Sequence, residues 1–317
     1  MKHFTHIYTA GKAINLMSAS VDNMLDASGN LVTRQRKTSE RLKAKERQRF
    51  LDYYKDQLFE ATWAPDDILG DNDPYHIFKL FTDQDFPGHG ITGLDTFDSG
   101  GITYYKFSGG LPYRIDHIVQ EIISMTKLRA YNDQLSWRQI FYYYLLLSHY
   151  LTDAHVPMHC DLRDDPPDAS SRDGQPSRLH KGGKPATGPY MNGDAHAALE
   201  GDWEDAVIPV AIAERIIEQH PVYQQPPISN LTPQVTFTGN DCQSGGVIVV
   251  KTIPERGLMQ FLIDLCIKSK IRCKTLFPIA NPTQLDTASL PAITRQIFAD
   301  AIGNLLSVWK YFWDQTH

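Results

Sequence analysis

Cysteine is scarce in this sequence and unpaired. Cys160, Cys242, Cys266 and Cys273 are spread over the second half with no CxxC pair, so a disulfide framework is not indicated. Long apolar runs are also missing. None approaches the roughly eighteen residues that span a bilayer. The opening "MKHFTHIYTAGKAINLM" has polar residues and histidines where a secretion signal needs its apolar block. These two absences lead us to expect a reduced, cytoplasmic setting. A basic excess is absent as well: the net charge is -6. That argues against a general nucleic-acid-coating surface but leaves room for a local basic groove. A chain of 317 residues with 42% hydrophobic content is enough for one large domain or two small ones, and we read the whole chain, 1–317, as a single domain.

Helical periodicity dominates what is present. Ile7, Ala10, Ile14 and Met17 mark a helix over 6–17. Leu42, Phe50, Tyr54 and Leu58 mark one over 39–60, and Ile115, Ile118, Ile122 and Met125 a third. Residues 136–153 are apolar nearly all round, which predicts a helix at the centre of the fold. Further helices are expected at 203–218, 257–271 and 291–314. The only strand-like text is "PQVTFTG" and "GGVIVVKTI", read as a small hairpin within 233–253. Residues 83–112 and 161–194, rich in Gly and Pro, read as loops. The run "RQRKTSERLKAKERQR", 34–49, carries eight basic residues against two acidic. It reads as a solvated helical face, with contact to phosphates or an anionic membrane surface as the alternative.

Histidine is where the sequence becomes unusual. "HYLTDAHVPMHC", 149–160, follows the apolar "FYYYLLL". On a helix His149 and Asp153, four apart, share a face and can present an imidazole and a carboxylate to one ion. His159 follows Pro157, where the helix should bend or stop, so it reaches a neighbouring ion rather than the same one. "DAHAALEGDWED" repeats the spacing with His196 and Glu200. One such pair alone arises easily as a surface salt bridge. Two pairs, one of them under an apolar helix, point to metal, because burying an imidazole and a carboxylate is unfavourable unless something pairs with them. Upstream, His6 opens the first helix, and "TWAPDDILGDNDPYHIF" offers Asp66, Asp67, Asp71, Asp73 and His76. His155 reads as a surface residue or one that supports a ligand. His89, His117 and His180 read as structural or exposed. Tyr75, Phe78 and Tyr104 suit a pocket lining or the core equally.

These segments resemble those of the zinc-dependent phospholipases C and the related single-strand-specific zinc nucleases. "HYLTDAHVPMH" resembles their H-x3-D-x5-H segment and "HAALE" the following H-x3-E/D segment, with glutamate the phospholipase form. "HIYTAGKAINLMS" is similar to the first helix of the bacterial phospholipases C, and "WAPDDI…YH" to the family's tryptophan-plus-aspartate segment. The matches run in family order over about residues 1–200. The resemblance implies an all-α domain around a trinuclear zinc site. One ion would be held by Asp66, His76, His149 and Asp153, with Asp66 preferred to Asp67 because it directly follows "WAP". Asp153 would bridge to a second ion held by His6 and the chain start. His159, His196 and Glu200 would hold a third. The α-amine of Met1 would complete the second site, since Lys2 is too large for removal of the initiator methionine, with His3 as the rival ligand. Asp66 would also orient the attacking water. The implied activity is release of a phosphorylated headgroup from a phospholipid or other phosphodiester, with transient membrane-surface contact and no stable nucleic-acid complex. The alternatives are a single-strand nuclease, favoured by "DAHVPMH", and a non-catalytic, metal-stabilised helical binding protein.

Overall fold

The computed structural model describes residues 2–17, 21–25, 31–35, 57–70, 73–87, 93–129, 135–165, 188–216 and 248–316, with Lys37, Lys45 and Tyr131 between them. Met1, most of the helix expected over 39–60 before residue 57 and most of the basic run lie outside the described residues. So do His89, His180 and most of the 161–194 segment. Arg34 and Gln35 of the basic run end a strand, Leu31–Gln35.

Seven helices are described: α1 His3–Leu16, α2 Leu58–Asp67, α3 Leu111–Arg129, α4 Trp137–Asp153, α5 Ala195–Ala213, α6 Leu258–Leu276 and α7 Leu290–Thr316. The apolar α4 lies at the centre, packed against α1, α2, α3 and α7. Ser136 caps it by accepting from the Arg138 N–H at 3.0 Å. Along one side Tyr144 meets Phe312 edge to face at 4.6 Å. Trp203 of α5 is fully buried and donates to Thr294 Oγ1 of α7 at 3.1 Å. A buried aromatic of this size contributes roughly 2–3 kcal/mol by area alone.

The all-α expectation needs correcting to mostly helical with two small sheets. β1 Val21–Leu25 pairs antiparallel with β2 Leu31–Gln35. β3 Phe78–Phe81, β4 Thr96–Ser99 and β5 Ile102–Gly109 form an antiparallel sheet in the order β3-β5-β4. Half of the segment read as a glycine-rich loop is thus a hairpin. Gly100 and Gly101 both have positive φ, +58° and +76°, the backbone of a two-residue turn between right-twisted strands. The Thr, Tyr and Phe of "ITYYKFSG" suit a pleated surface. Of the hairpin expected at 233–253, residues up to 247 lie outside the described residues, and 248–253 belong to no strand.

After Asp153 the chain turns sharply. Pro157 opens a single 3-10 turn, Met158–Cys160, followed by a second, Leu162–Asp164. A buried ionic cluster anchors this corner. Asp161 meets Arg163 Nη2 at 2.7 Å and Lys270 Nζ at 3.3 Å, and Lys270 also meets Asp85 at 2.9 Å. Arg163 Nη1 donates to the Phe277 carbonyl at 2.7 Å. Single ion pairs in a protein interior repay their desolvation poorly. Here they tie the two 3-10 turns to α6 and its C-terminal end.

Candidate metal centre

The bend brings together side chains from α1, α2, the segment before β3, α4, the 3-10 turn and α5. Three donor groups result: His6, His149 and Asp153; Asp66, His76 and His149; and His159, His196 and Glu200. Every side chain expected to bind metal, Met1 being outside the described residues, is in one of them.

The first ion's proposed ligands make a direct test of fit. Four donors at Zn–N and Zn–O distances of ~2.0–2.1 Å in a tetrahedron stand about 3.3–3.4 Å from one another. His149 Nε2 lies 3.3 Å from Asp153 Oδ2, 3.4 Å from Asp66 Oδ1 and 3.2 Å from His76 Nδ1. His76 Nδ1 lies 2.9 Å from Asp153 Oδ2 and 3.6 Å from Asp66 Oδ1. Five edges therefore scatter about the tetrahedral value. The other oxygen of Asp153 faces elsewhere, towards His6 Nε2 at 3.5 Å and His159 Nδ1 at 3.6 Å. One carboxylate thus has an oxygen for each of two neighbouring positions. In the third group Glu200 Oε1 is 3.0 Å from His196 Nε2 and 3.6 Å from His159 Nε2. The spacing of these donors would let them hold divalent metal ions, and at the first position it is compatible with zinc.

The supports for these rings come from the fold. His149 Nδ1–H donates to the Thr62 carbonyl at 2.7 Å, one turn before Asp66 on α2, which turns Nε2 towards the other donors. His6 stacks on His149, with ring centroids 4.0 Å apart and planes at 14°. His196 Nδ1 lies 3.0 Å from Asp164 Oδ2. Neither the Thr62 carbonyl nor Asp164 is among the expected residues. The first is a backbone atom with no sequence mark, and the second is one of several aspartates in "DLRDD".

Burial and charge divide the groups. Burial is the largest influence on each, and it pushes His6 and His159 down, His159 to about 3. For His149, burial is outweighed by the Asp153 and Asp66 carboxylates, and its pKa rises to about 9. His196 also rises to about 9, through Asp164 and Glu200 acting against burial. Asp153 is held well below the carboxylate range despite full burial, with His149 and His159 beside it. Asp66 stays ionised, at about 2, because its bond to His149 outweighs its burial. It is also the open side of the site: its side chain is 36% exposed, against 2% for Asp153.

Several readings are corrected or narrowed. His155 is not a surface residue. It is 1% exposed, donates from Nδ1 to the Leu151 carbonyl at 2.7 Å and accepts at Nε2 from Asn304 at 2.8 Å. It thereby pins the end of α4 to α7. His3 belongs to none of the donor groups; its ring lies against Trp63, centroids 4.1 Å apart. Phe78 and Tyr104 are core residues, whereas Tyr75 is exposed and lies 5.5 Å from the Arg114 guanidinium. His117 is on the outer face of α3, 3.2 Å from Glu121. No helix among the described residues is long and apolar enough to cross a membrane. A scan against protein-family models found no match, and searches of curated proteins and of solved structures likewise returned none.

Proposed function

We propose that this chain is a zinc-dependent phosphodiester hydrolase of the phospholipase C kind, releasing a phosphorylated headgroup from a phospholipid. The observation that carries the reading is the pair of oxygens of Asp153, each directed at a different set of imidazoles. A structural zinc site closes around one ion; a shared carboxylate joining adjacent positions suits phosphate-ester hydrolysis.

Asp66, His76, His149 and Asp153 would hold one ion, Asp153 and His6 a second, and His159, His196 and Glu200 a third. When bound, the ions supply charge neutralisation for the anionic ester and a water acidic near neutral pH. The rest falls to the chain. Asp66, ionised and partly open to solvent, would orient the attacking water. The buried rings and Asp153 keep bulk water from the far side of the site. Glu200 in the last position and the first-helix likeness favour lipid over nucleic acid. The "DAHVPMH" segment favours a single-strand nuclease as the second reading.

The test is hydrolysis by zinc-loaded protein of phosphatidylcholine vesicles and, in parallel, of single-stranded DNA. Headgroup release without strand cleavage is the expected result. Strand cleavage alone would move the chain to the nuclease reading, and activity on neither would refute both.

A further inference from the structure

We propose that Lys79 is a positioning residue for the His159–His196–Glu200 group, holding two of its ligands from behind through one ammonium. The inference rests on the metal reading above. Lys79 is on β3, whose next residue, Leu80, bridges to Asp161 beside the 3-10 turns. Its side chain, 6% exposed, points inward from the strand. Nζ donates to the Met158 carbonyl at 2.7 Å and to Asp164 Oδ2 at 3.1 Å. Each acceptor leads to a ligand. The Met158 carbonyl belongs to the peptide preceding His159. Asp164 Oδ2 accepts from His196 Nδ1–H at 3.0 Å, with His196 Nε2 aimed at Glu200 Oε1, 3.0 Å away.

The arrangement does two things. It sets the His196 tautomer once the second proton is displaced, since a neutral ring that donates from Nδ1 has its lone pair on Nε2. It also sets the distance between a ligand on the turn and a ligand on α5, elements otherwise far apart in sequence. The first group is held differently, through the Thr62 carbonyl on α2. The two supports are therefore separable, and perturbing Lys79 should reach only one of the metal positions.

The experiment titrates metal-free full-length protein with zinc against a chromophoric chelator, for wild type, Lys79→Met, Lys79→Arg and Asp164→Asn. Helicity by circular dichroism confirms that each is folded. In Lys79→Met one ion, the one at His159, His196 and Glu200, should lose roughly 10- to 100-fold in affinity, the usual effect of removing a residue that orients a ligand. The remaining ions should titrate as in wild type. Lys79→Arg should recover part of the loss. Asp164→Asn, which keeps an oxygen for the His196 proton, should show a smaller loss at the same ion, and it serves as the test should Lys79→Met fail to fold. Unchanged affinities throughout, or equal weakening of every ion, would overturn the assignment. A wild-type chain that takes up no zinc would instead refute the metal reading beneath it.

Discussion

Loading zinc into this centre should expel protons, and the structure says from where. His149 and His196 rise from an ordinary 6.5 to about 9 in the metal-free protein, so at pH 7 both carry a proton that zinc must displace. His6 and His159, pushed down by burial, have none to give. The contribution from the raised pair is therefore about two protons per chain at neutral pH. The same shifts fix two opposite slopes. A histidine whose folded pKa is raised contributes stability that is complete below about 6.5 and lost as pH climbs through about 9; at ~1.4 kcal/mol per pH unit this is on the order of 3 kcal/mol each. Metal-free protein should thus weaken between pH 6.5 and 9, while zinc affinity rises about tenfold per pH unit for each proton displaced. Calorimetric zinc titrations at pH 7, in buffers of different ionisation enthalpy, measure the release. His196→Ala should lower it by about one proton. Release below one proton per fully loaded wild-type chain, or no change on His196→Ala, would refute this account of the charges.

Asp153→Asn should abolish most phosphodiesterase activity, because an amide cannot neutralise two cations. His155→Ala, compared at equal folded fraction, should retain most of it; similar losses would contradict the placement of His155 away from the donor groups. That substitution should still cost stability, roughly 1–3 kcal/mol in denaturant midpoint shifts, for the Asn304 and Leu151 partners left unpaired. Burial pushes His155 down to about 4. Its contribution, on the order of 3 kcal/mol, is therefore present above pH 6.5 and lost as pH falls towards 4; urea unfolding at both ends of that window should show a shallower acid slope for His155→Gln. Gly109 has φ +93°, and a Cβ there would stand 2.1 Å from the Ile77 carbonyl oxygen. Gly109→Ala should lower stability by roughly 2–4 kcal/mol in thermal unfolding, and an unchanged midpoint would contradict the close approach of the end of β5 to the backbone before β3.

Much of the centre was legible in the sequence because a helix converts spacing into direction. His149 and Asp153, like His196 and Glu200, share faces for no reason beyond 3.6 residues per turn. The apolar surround of "FYYYLLL" likewise required α4 to be internal. Other features had no such local code. The β3-β5-β4 sheet was hidden because its glycines read as loop, although Gly100 and Gly101 make the turn and the Thr and Tyr residues after them make the strand. His155 looked peripheral because its environment depends on Asn304, 149 residues away. Only the tertiary structure decided that Asp153 turns one oxygen to His76 and His149 and the other to His6 and His159. The same holds for the Thr62 carbonyl and the Lys79–Asp164 pair behind the rings. Which side chains share a helix face is a matter of residue type and helical phase, which a sequence carries. Ligand support depends on which backbone carbonyl or carboxylate a distant element delivers, and that is settled only by packing.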